Sequence, residues 1–277
     1  MSLMLKLLAI TIVLVSLSEA SSSGSKIKVF VEKTLKNNPN IRSVEVNISH
    51  EVKLKKPSGW TGYIVDLNAV LAKDGKKVGQ RTIWFSDGEV ITSDLLDISS
   101  GQSLKTLISP EFKAEYYKDE HLIYGNKNAK HKVVIFSDPL CPFCKNFVPK
   151  AINDMKKYPK KFAIYYYHFP LPSLHPAAVE LTKAAIALEL RGKHKDVVLK
   201  LYDVKIDPKE RNVEKILKAF NKTMDSNIKA DDLNSVAVVK HIQDDMLMAE
   251  SVMVQGTPTV FFDGKIDREK NQYKTAN

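Results

Sequence analysis

The sequence predicts an α+β chain built in two parts. Three observations carry that expectation. Apolar positions alternate through residues 41–91, helical apolar spacing dominates residues 176–253, and one Cys-x-x-Cys pair, Cys141 and Cys144, sits where a β-branched run gives way to a helical pattern. With 277 residues there is room for two ordinary domains. The formal net charge is +10, and most of the excess falls in residues 121–277, densest from Lys145 to Lys161. No nucleic-acid-binding motif accompanies those lysines, so they read as a solvated basic face and no nucleic-acid partner is expected.

Residues 1–20 read as a secretion signal. Lys6 precedes an apolar run of eleven residues, Leu7–Leu17, too short to span a bilayer comfortably. Ser18 and Ala20 place small residues where a signal peptidase cuts, so cleavage is expected after Ala20 and the destination is an oxidising compartment outside the cytosol.

Residues 21–110 read as the first domain. Ile27–Leu35 has helical spacing and stops at Asn37-Asn38-Pro39-Asn40. Val44, Val46 and Ile48 alternate with Ser43, Glu45 and Asn47, the period of a half-buried strand. The sequon at Asn47 follows from that alternation by chance. Pro57-Ser58-Gly59 is a loop, and Trp60–Leu71 an apolar strand region. Lys73-Asp74-Gly75-Lys76 is a hairpin turn, Arg81–Phe85 another strand, and Ser86-Asp87-Gly88 a turn before Val90-Ile91. This part holds no cysteine and only His50 as a histidine, so it reads as an interaction or dimerisation module. Residues 111–130 read as a linker in which Phe112–His121 forms a helix, and residues 131–277 as the second domain.

There, the strand Lys132–Ser137 runs into the cysteines, the only two in the chain. A helix follows, with Phe147, Val148, Ile152 and Met155 on its apolar face. Residues three apart on a helix are neighbours, so Cys141 and Cys144 are within reach of a disulfide. A ring that small restrains the unfolded chain little, so the pair serves reactivity rather than stability. A zinc site needs further ligands, and no second Cys-x-x-Cys or His-x-x-x-His is present, so no metal site is expected. The helix N-terminus favours an anion at Cys141, where cysteine pKa values fall to roughly 3.5–7.5. Cys141 is therefore assigned as attacking nucleophile and Cys144 as the shielded, resolving thiol. Pro142 suits the first helical turn. Pro142 and Phe143 are the residues expected to tune the redox poise, and no cofactor beyond the Cys141–Cys144 disulfide is expected.

Phe162–Phe169 reads as a buried central strand. Helical stretches follow at Pro176–Arg191, His194–Tyr202, Val213–Phe220 and Leu233–Met253, then the strand Val260–Phe262 and the turn Asp263-Gly264. A β-α-β start, a helical insertion and a late hairpin describe a thioredoxin-like fold with an α-helical insert. Residues 265–277 are polar, so the closing helix is expected to be short or unpacked. His168 and His175 read as loop residues without a role, and Tyr165, Tyr166 and Tyr167 as core or cleft wall.

The stretch Asp138–Cys144 with Lys145 and Phe147, together with Gly256-Thr257-Pro258, resembles the DsbC/DsbG family of periplasmic disulfide isomerases, closest to DsbG. The resemblance implies that Pro258 is cis and lies against the cysteines, and that Thr257 holds a substrate strand through its backbone. It also implies that residues 21–110, with Ser86-Asp87-Gly88 before Leu95-Leu96-Asp97-Ile98, form a cystatin-like dimerisation domain. One departure stands out: Ile135 occupies the place, six residues before the nucleophile, where thioredoxin and DsbA types carry a buried carboxylate. Asp138 is the nearest acid and either accepts a proton weakly or caps the helix.

The expected function is thiol–disulfide interchange on unfolded or misfolded exported proteins in the periplasm, as an isomerase or reductase. The expected protein is a homodimer kept reduced by a DsbD-like membrane partner. The alternatives are a DsbA-like dithiol oxidase served by a DsbB-like oxidant, and a chaperone whose cysteines are secondary.

Overall fold

A computed structural model describes residues 23–276, apart from the side chains of residues 193–196. The expected signal, residues 1–20, lies outside them. The chain divides into two compact units with the boundary between Leu96 and Asp97. No helix among the described residues is long and apolar enough to cross a membrane.

The first unit is one helix on an antiparallel sheet. Helix α1 (Ser23–Lys36) is followed by β1 (Ile41–Lys53), β2 (Thr61–Leu71), β3 (Lys77–Ser86) and β4 (Ile91–Thr92), paired in that order. The α1 residues Ile27 and Val31, one turn apart, bury against Val46, Tyr63 and Val65. Along β1, Val44, Val46 and Ile48 turn inward while Ser43, Glu45 and Asn47 stay exposed, as the period of two requires. The β2–β3 hairpin turns at Gly75, whose φ of 69° suits glycine, and the Asp74 carboxylate accepts from the Lys76 N–H at 3.0 Å.

The second unit contains a five-stranded sheet in the order β5-β7-β6-β8-β9, made of β5 (Leu122–Tyr124), β6 (His131–Ser137), β7 (Phe162–His168), β8 (Thr259–Phe262) and β9 (Lys265–Ile266). Only β6 and β7 run parallel; the other pairs are antiparallel. Every residue of β7 is buried, because apolar layers cover both faces of the sheet. On one face α2 (Pro142–Met155) packs Val148, Ile152 and Met155 against Val133, Ile135, Ile164 and Tyr166. On the other, Val134, Phe136, Tyr165 and Tyr167 meet Phe112, Ala249 and Val252. A separate core joins α3 (Pro176–Leu188), α4 (His194–Leu201), α5 (Val213–Met224) and α6 (Val236–Ser251) through Leu181, Ile186, Leu201, Ile216 and Phe220.

Two expectations change, and a third is met in one of its alternatives. Residues 97–110, read as the end of the first domain, and 111–130, read as a linker with a helix, belong to the second unit, and Phe112–His121 forms only two short 3-10 turns, Ala114–Tyr116 and Asp119–His121. The cause is Phe112, a core residue whose ring lies 4.9 to 6.2 Å from those of Tyr116, Tyr117, Phe136, Tyr167 and Phe261 and so docks the segment on the sheet. The stretch Pro176–Arg191 ends its α-helix at Leu188 and continues as a π turn, Glu189–Lys193. The closing helix is short, as one of the two expected alternatives had it, and not unpacked: in α7 (Gln272–Thr275) Tyr273 is buried with its ring 6.5 Å from that of Phe147.

Candidate active site

Strand β6 ends at Ser137, and the chain turns through Asp138, Pro139 and Leu140 into α2. Cys141 is the N-cap residue, with φ −65° and ψ 125°, and Pro142 takes the first helical position, where its missing N–H costs nothing. Cys144 lies one turn deeper. Both cysteines are free thiols; Cys141 keeps 5% exposure and Cys144 none. Phe143 between them is 76% exposed. It offers a flat apolar face beside the reactive pair and no charge.

Opposite the cysteines stands the loop before β8. The Cys141 thiol donates to the Thr257 carbonyl at 3.6 Å, and the Thr257–Pro258 peptide is cis. Thr257 and Pro258 also line, with Phe143, Phe147, Lys150 and Tyr273, an open groove of about 580 Å³. Cys141, Cys144, Pro142, Phe143, Thr257 and Pro258, singled out from sequence, therefore converge on one place.

Burial pushes the Cys144 thiol up to about 12, and the hydroxyls of Ser137 and Thr257 oppose that rise only in part. Below Cys144 runs a chain of neutral hydroxyls. Tyr202 donates to Ser137 Oγ at 2.7 Å, and the Tyr166 and Tyr202 hydroxyls share a hydrogen bond at 2.9 Å. Burial raises both phenols above their ordinary value, so they stay protonated. These hydroxyls stand under the thiol where Ile135 leaves no carboxylate.

Asp138 is fully buried. Its Oδ1 accepts from the N–H groups of Leu140 at 2.7 Å and Cys141 at 3.1 Å, so it closes the turn that leads into α2. Its Oδ2 accepts from the Leu171 N–H at 2.8 Å and from His175 Nδ1 at 3.0 Å. One carboxylate thus ties the cysteine turn to the loop after β7, and His175, read from sequence as an ordinary loop residue, is one of its partners. Lys145, half-buried, is pushed down by burial and by Lys205, while Asp138 pulls it up. Ser137, Tyr166, Tyr202 and His175 carry no local signal that sequence reading could have used.

Among curated proteins, the chain is 26% identical over 147 residues to the Na(+)/H(+) antiporter NhaA 1 of Mycolicibacterium vanbaalenii, covering 53% of this chain and 24% of that protein. The NhaA 1 of Mycolicibacterium gilvum matches with the same identity and coverage. The chain thus spans about a quarter of the length of these relatives. Among solved structures, ScsC of Proteus mirabilis in a transitional conformation aligns with a TM-score of 0.47 at 21% identity, over 62% of this chain and 81% of that one. Oxidised BdbD of Bacillus subtilis aligns with a TM-score of 0.47 at 19% identity, over 60% and 91%. The family model described as Thioredoxin matches residues 118–277, more than half of the chain and all of the cysteine site, and the chain belongs to that thioredoxin family.

Proposed function

We propose that the chain exchanges disulfides with exported polypeptides, as a reductase and isomerase, with Cys141 the attacking and Cys144 the resolving thiol. One observation carries the reading: Cys141 stands at the N-cap of α2 with its thiol on the Thr257 carbonyl, while Cys144 is sealed one turn below it. The Cys141 thiolate attacks one sulfur of a substrate disulfide, the S–S bond breaks, and the other substrate sulfur leaves as a thiolate that takes up a proton. Cys144 then loses its proton and attacks Cys141 Sγ, releasing a second substrate thiolate and leaving a Cys141–Cys144 disulfide. The substrate gains two electrons and the chain loses two, so a membrane reductant of the DsbD kind must restore the dithiol. In isomerisation a substrate thiol, rather than Cys144, displaces Cys141 and no net electrons move. The Thr257 backbone beside the thiol would align the incoming segment by strand addition, and Pro142 and Phe143 would set the poise of the pair.

Trapping tests this. Cys144→Ala should accumulate covalent complexes with substrate proteins, and Cys141→Ala should not. Equal trapping by the two variants would reject the two-thiol mechanism. Thiol alkylation in the native compartment should find the pair mostly reduced; a mostly oxidised pair would instead indicate a DsbA-like oxidase served by a DsbB-like partner. Aggregation suppression by a double Cys→Ala variant equal to that of the parent would favour the chaperone reading.

Within this proposal the first unit is a cystatin-like dimerisation domain and the compartment is the periplasm, reached through the signal at residues 1–20. The first unit contains no cysteine, and its α1 leaves Val29 at 63% and Phe30 at 49% exposure. A homodimer would place two catalytic units on one misfolded chain and raise the effective concentration of the second contact. Light scattering should give twice the chain mass at micromolar concentration, and a monomer would count against isomerisation.

A further inference from the structure

A second polar cluster lies in the same unit, outside the cysteine site. His241 and Asp245 sit four residues apart on one face of α6. His121 closes the 3-10 turn before β5, His168 ends β7, and Glu189 follows α3. Four separate parts of the chain thus deliver imidazoles and carboxylates to one interior place. His121 Nε2 and Asp245 Oδ1 are 2.6 Å apart, and His241 Nε2 is 3.8 Å from Asp245 Oδ2. One donor atom each of His121, His241 and Asp245 lies within 4.8 Å of the other two.

The surroundings hold these groups in place. Tyr167 stacks on the His121 ring at 3.8 Å with the planes 10° apart. The His168 N–H donates to Asp245 Oδ2 at 2.9 Å, which fixes the carboxylate. His121 is 3% exposed and Asp245 fully buried; among the described residues the buried Nδ1 atoms of His121 and His168 find no hydrogen-bond partner, His121 Nδ1 having the Glu120 carboxylate no nearer than 4.0 Å. His168 Nε2 already pairs with Glu189 Oε2 at 3.2 Å. Among the described residues the charge of Asp245 is left among imidazoles, with neither lysine nor arginine among its hydrogen-bond and ion-pair partners.

We propose that His121, His241 and Asp245 form a binding site for a divalent cation of the zinc class. Two imidazole nitrogens and a carboxylate are the donors such an ion takes, with water completing a four-coordinate shell. The ion replaces the proton shared by His121 and Asp245, which leaves to solvent. Ligand bonds of about 2.0–2.1 Å set donor separations near 3.3 Å, so His121 and Asp245, 2.6 Å apart, must part by about 0.7 Å and His241, 3.8 Å from the carboxylate, must move inward by about 0.5 Å. Its side chain is 12% exposed, against 3% for His121 and none for Asp245. Because α6 leads through residues 252–256 to Thr257, the ion would brace the helix that delivers the loop facing Cys141. The sequence offered no sign of the site, since its ligands lie 124 residues apart across the His121–Asp245 contact.

The test uses the full chain carrying Cys141→Ser and Cys144→Ser, which removes thiolate ligands. Zinc(II) titrated against a chromophoric chelator should bind one ion per chain and raise Tm by roughly 5 °C or more at a hundredfold excess over Kd. Zinc-edge X-ray absorption of that complex should show two imidazoles and only nitrogen or oxygen neighbours at about 2.0–2.1 Å. His241→Gln, with folding checked by circular dichroism, should weaken zinc binding at least a hundredfold. Failure of the double-serine chain to bind zinc, a spectrum without imidazole, or undiminished binding by a folded His241→Gln chain would each overturn the proposal. Should His241→Gln fail to fold, the absorption spectrum of the double-serine chain decides it alone.

Discussion

Replacing Cys141 with serine leaves Cys144 as the single thiol, and in the folded chain that thiol should be nearly inert. Its ordinary value is 9.0 and burial pushes it up to about 12, with the neighbouring Cys141 the smallest of the contributions. The variant therefore keeps most of the shift. Three units mean about a thousandfold less thiolate than a solvent-exposed cysteine at the same pH. Alkylation proceeds through the thiolate, and Cys144 also has no exposed surface, so the folded rate at pH 8 should fall about a thousandfold or more below the rate in urea. Iodoacetamide labelling followed by intact mass, in buffer and in urea, reads that ratio directly. A folded rate within about tenfold of the unfolded one would refute the assignment of Cys144 as a sealed resolving thiol. The sign of the linked stability follows. The folded chain holds this proton more tightly than the unfolded chain, so the stabilisation is complete below about pH 9 and is lost as pH rises toward 12. Cys144→Ala should remove that part of the alkaline slope.

Two further substitutions test the frame around the thiols. Asp138→Asn keeps one acceptor oxygen but turns an NH₂ toward donors now satisfied by the carboxylate, and should cost about 2–4 kcal/mol in urea unfolding; His175→Ala, removing one partly exposed partner, should cost about 1 kcal/mol. Equal losses for the two would show that Asp138 does not tie the cysteine turn to the loop. Gly125 has φ 85°, and a Cβ there would meet the Phe162 carbonyl oxygen at 1.9 Å, so Gly125→Ala should destabilise the second unit by about 3 kcal/mol or more, and a neutral effect in urea unfolding would contradict the β5–β7 edge.

The sequence by itself determined whatever depends on neighbours along the chain. The Cys141–Cys144 spacing, Pro142 at the first helical position and the strand before them are local, and the structure places both cysteines at the start of α2. The alternation in β1 and the continuous apolar run of β7 announce which faces are buried, because strand period and sheet layering act residue by residue. Polar stretches were less legible. Phe112–His121 looks like a helix from composition, but one buried ring among five others decides its course. Tertiary structure alone made the remaining assignments, and the reason is contact distance along the chain. His175 reaches Asp138 across 37 residues and Tyr202 reaches Ser137 across 65. Hydrogen bonds between residues so far apart leave no periodicity and no motif. They exist because the sheet order β7-β6-β8 sets the loop after β7, the end of β6 and the loop before β8 side by side at one edge of the layer, and a buried carboxylate or hydroxyl there must take the partners that topology supplies.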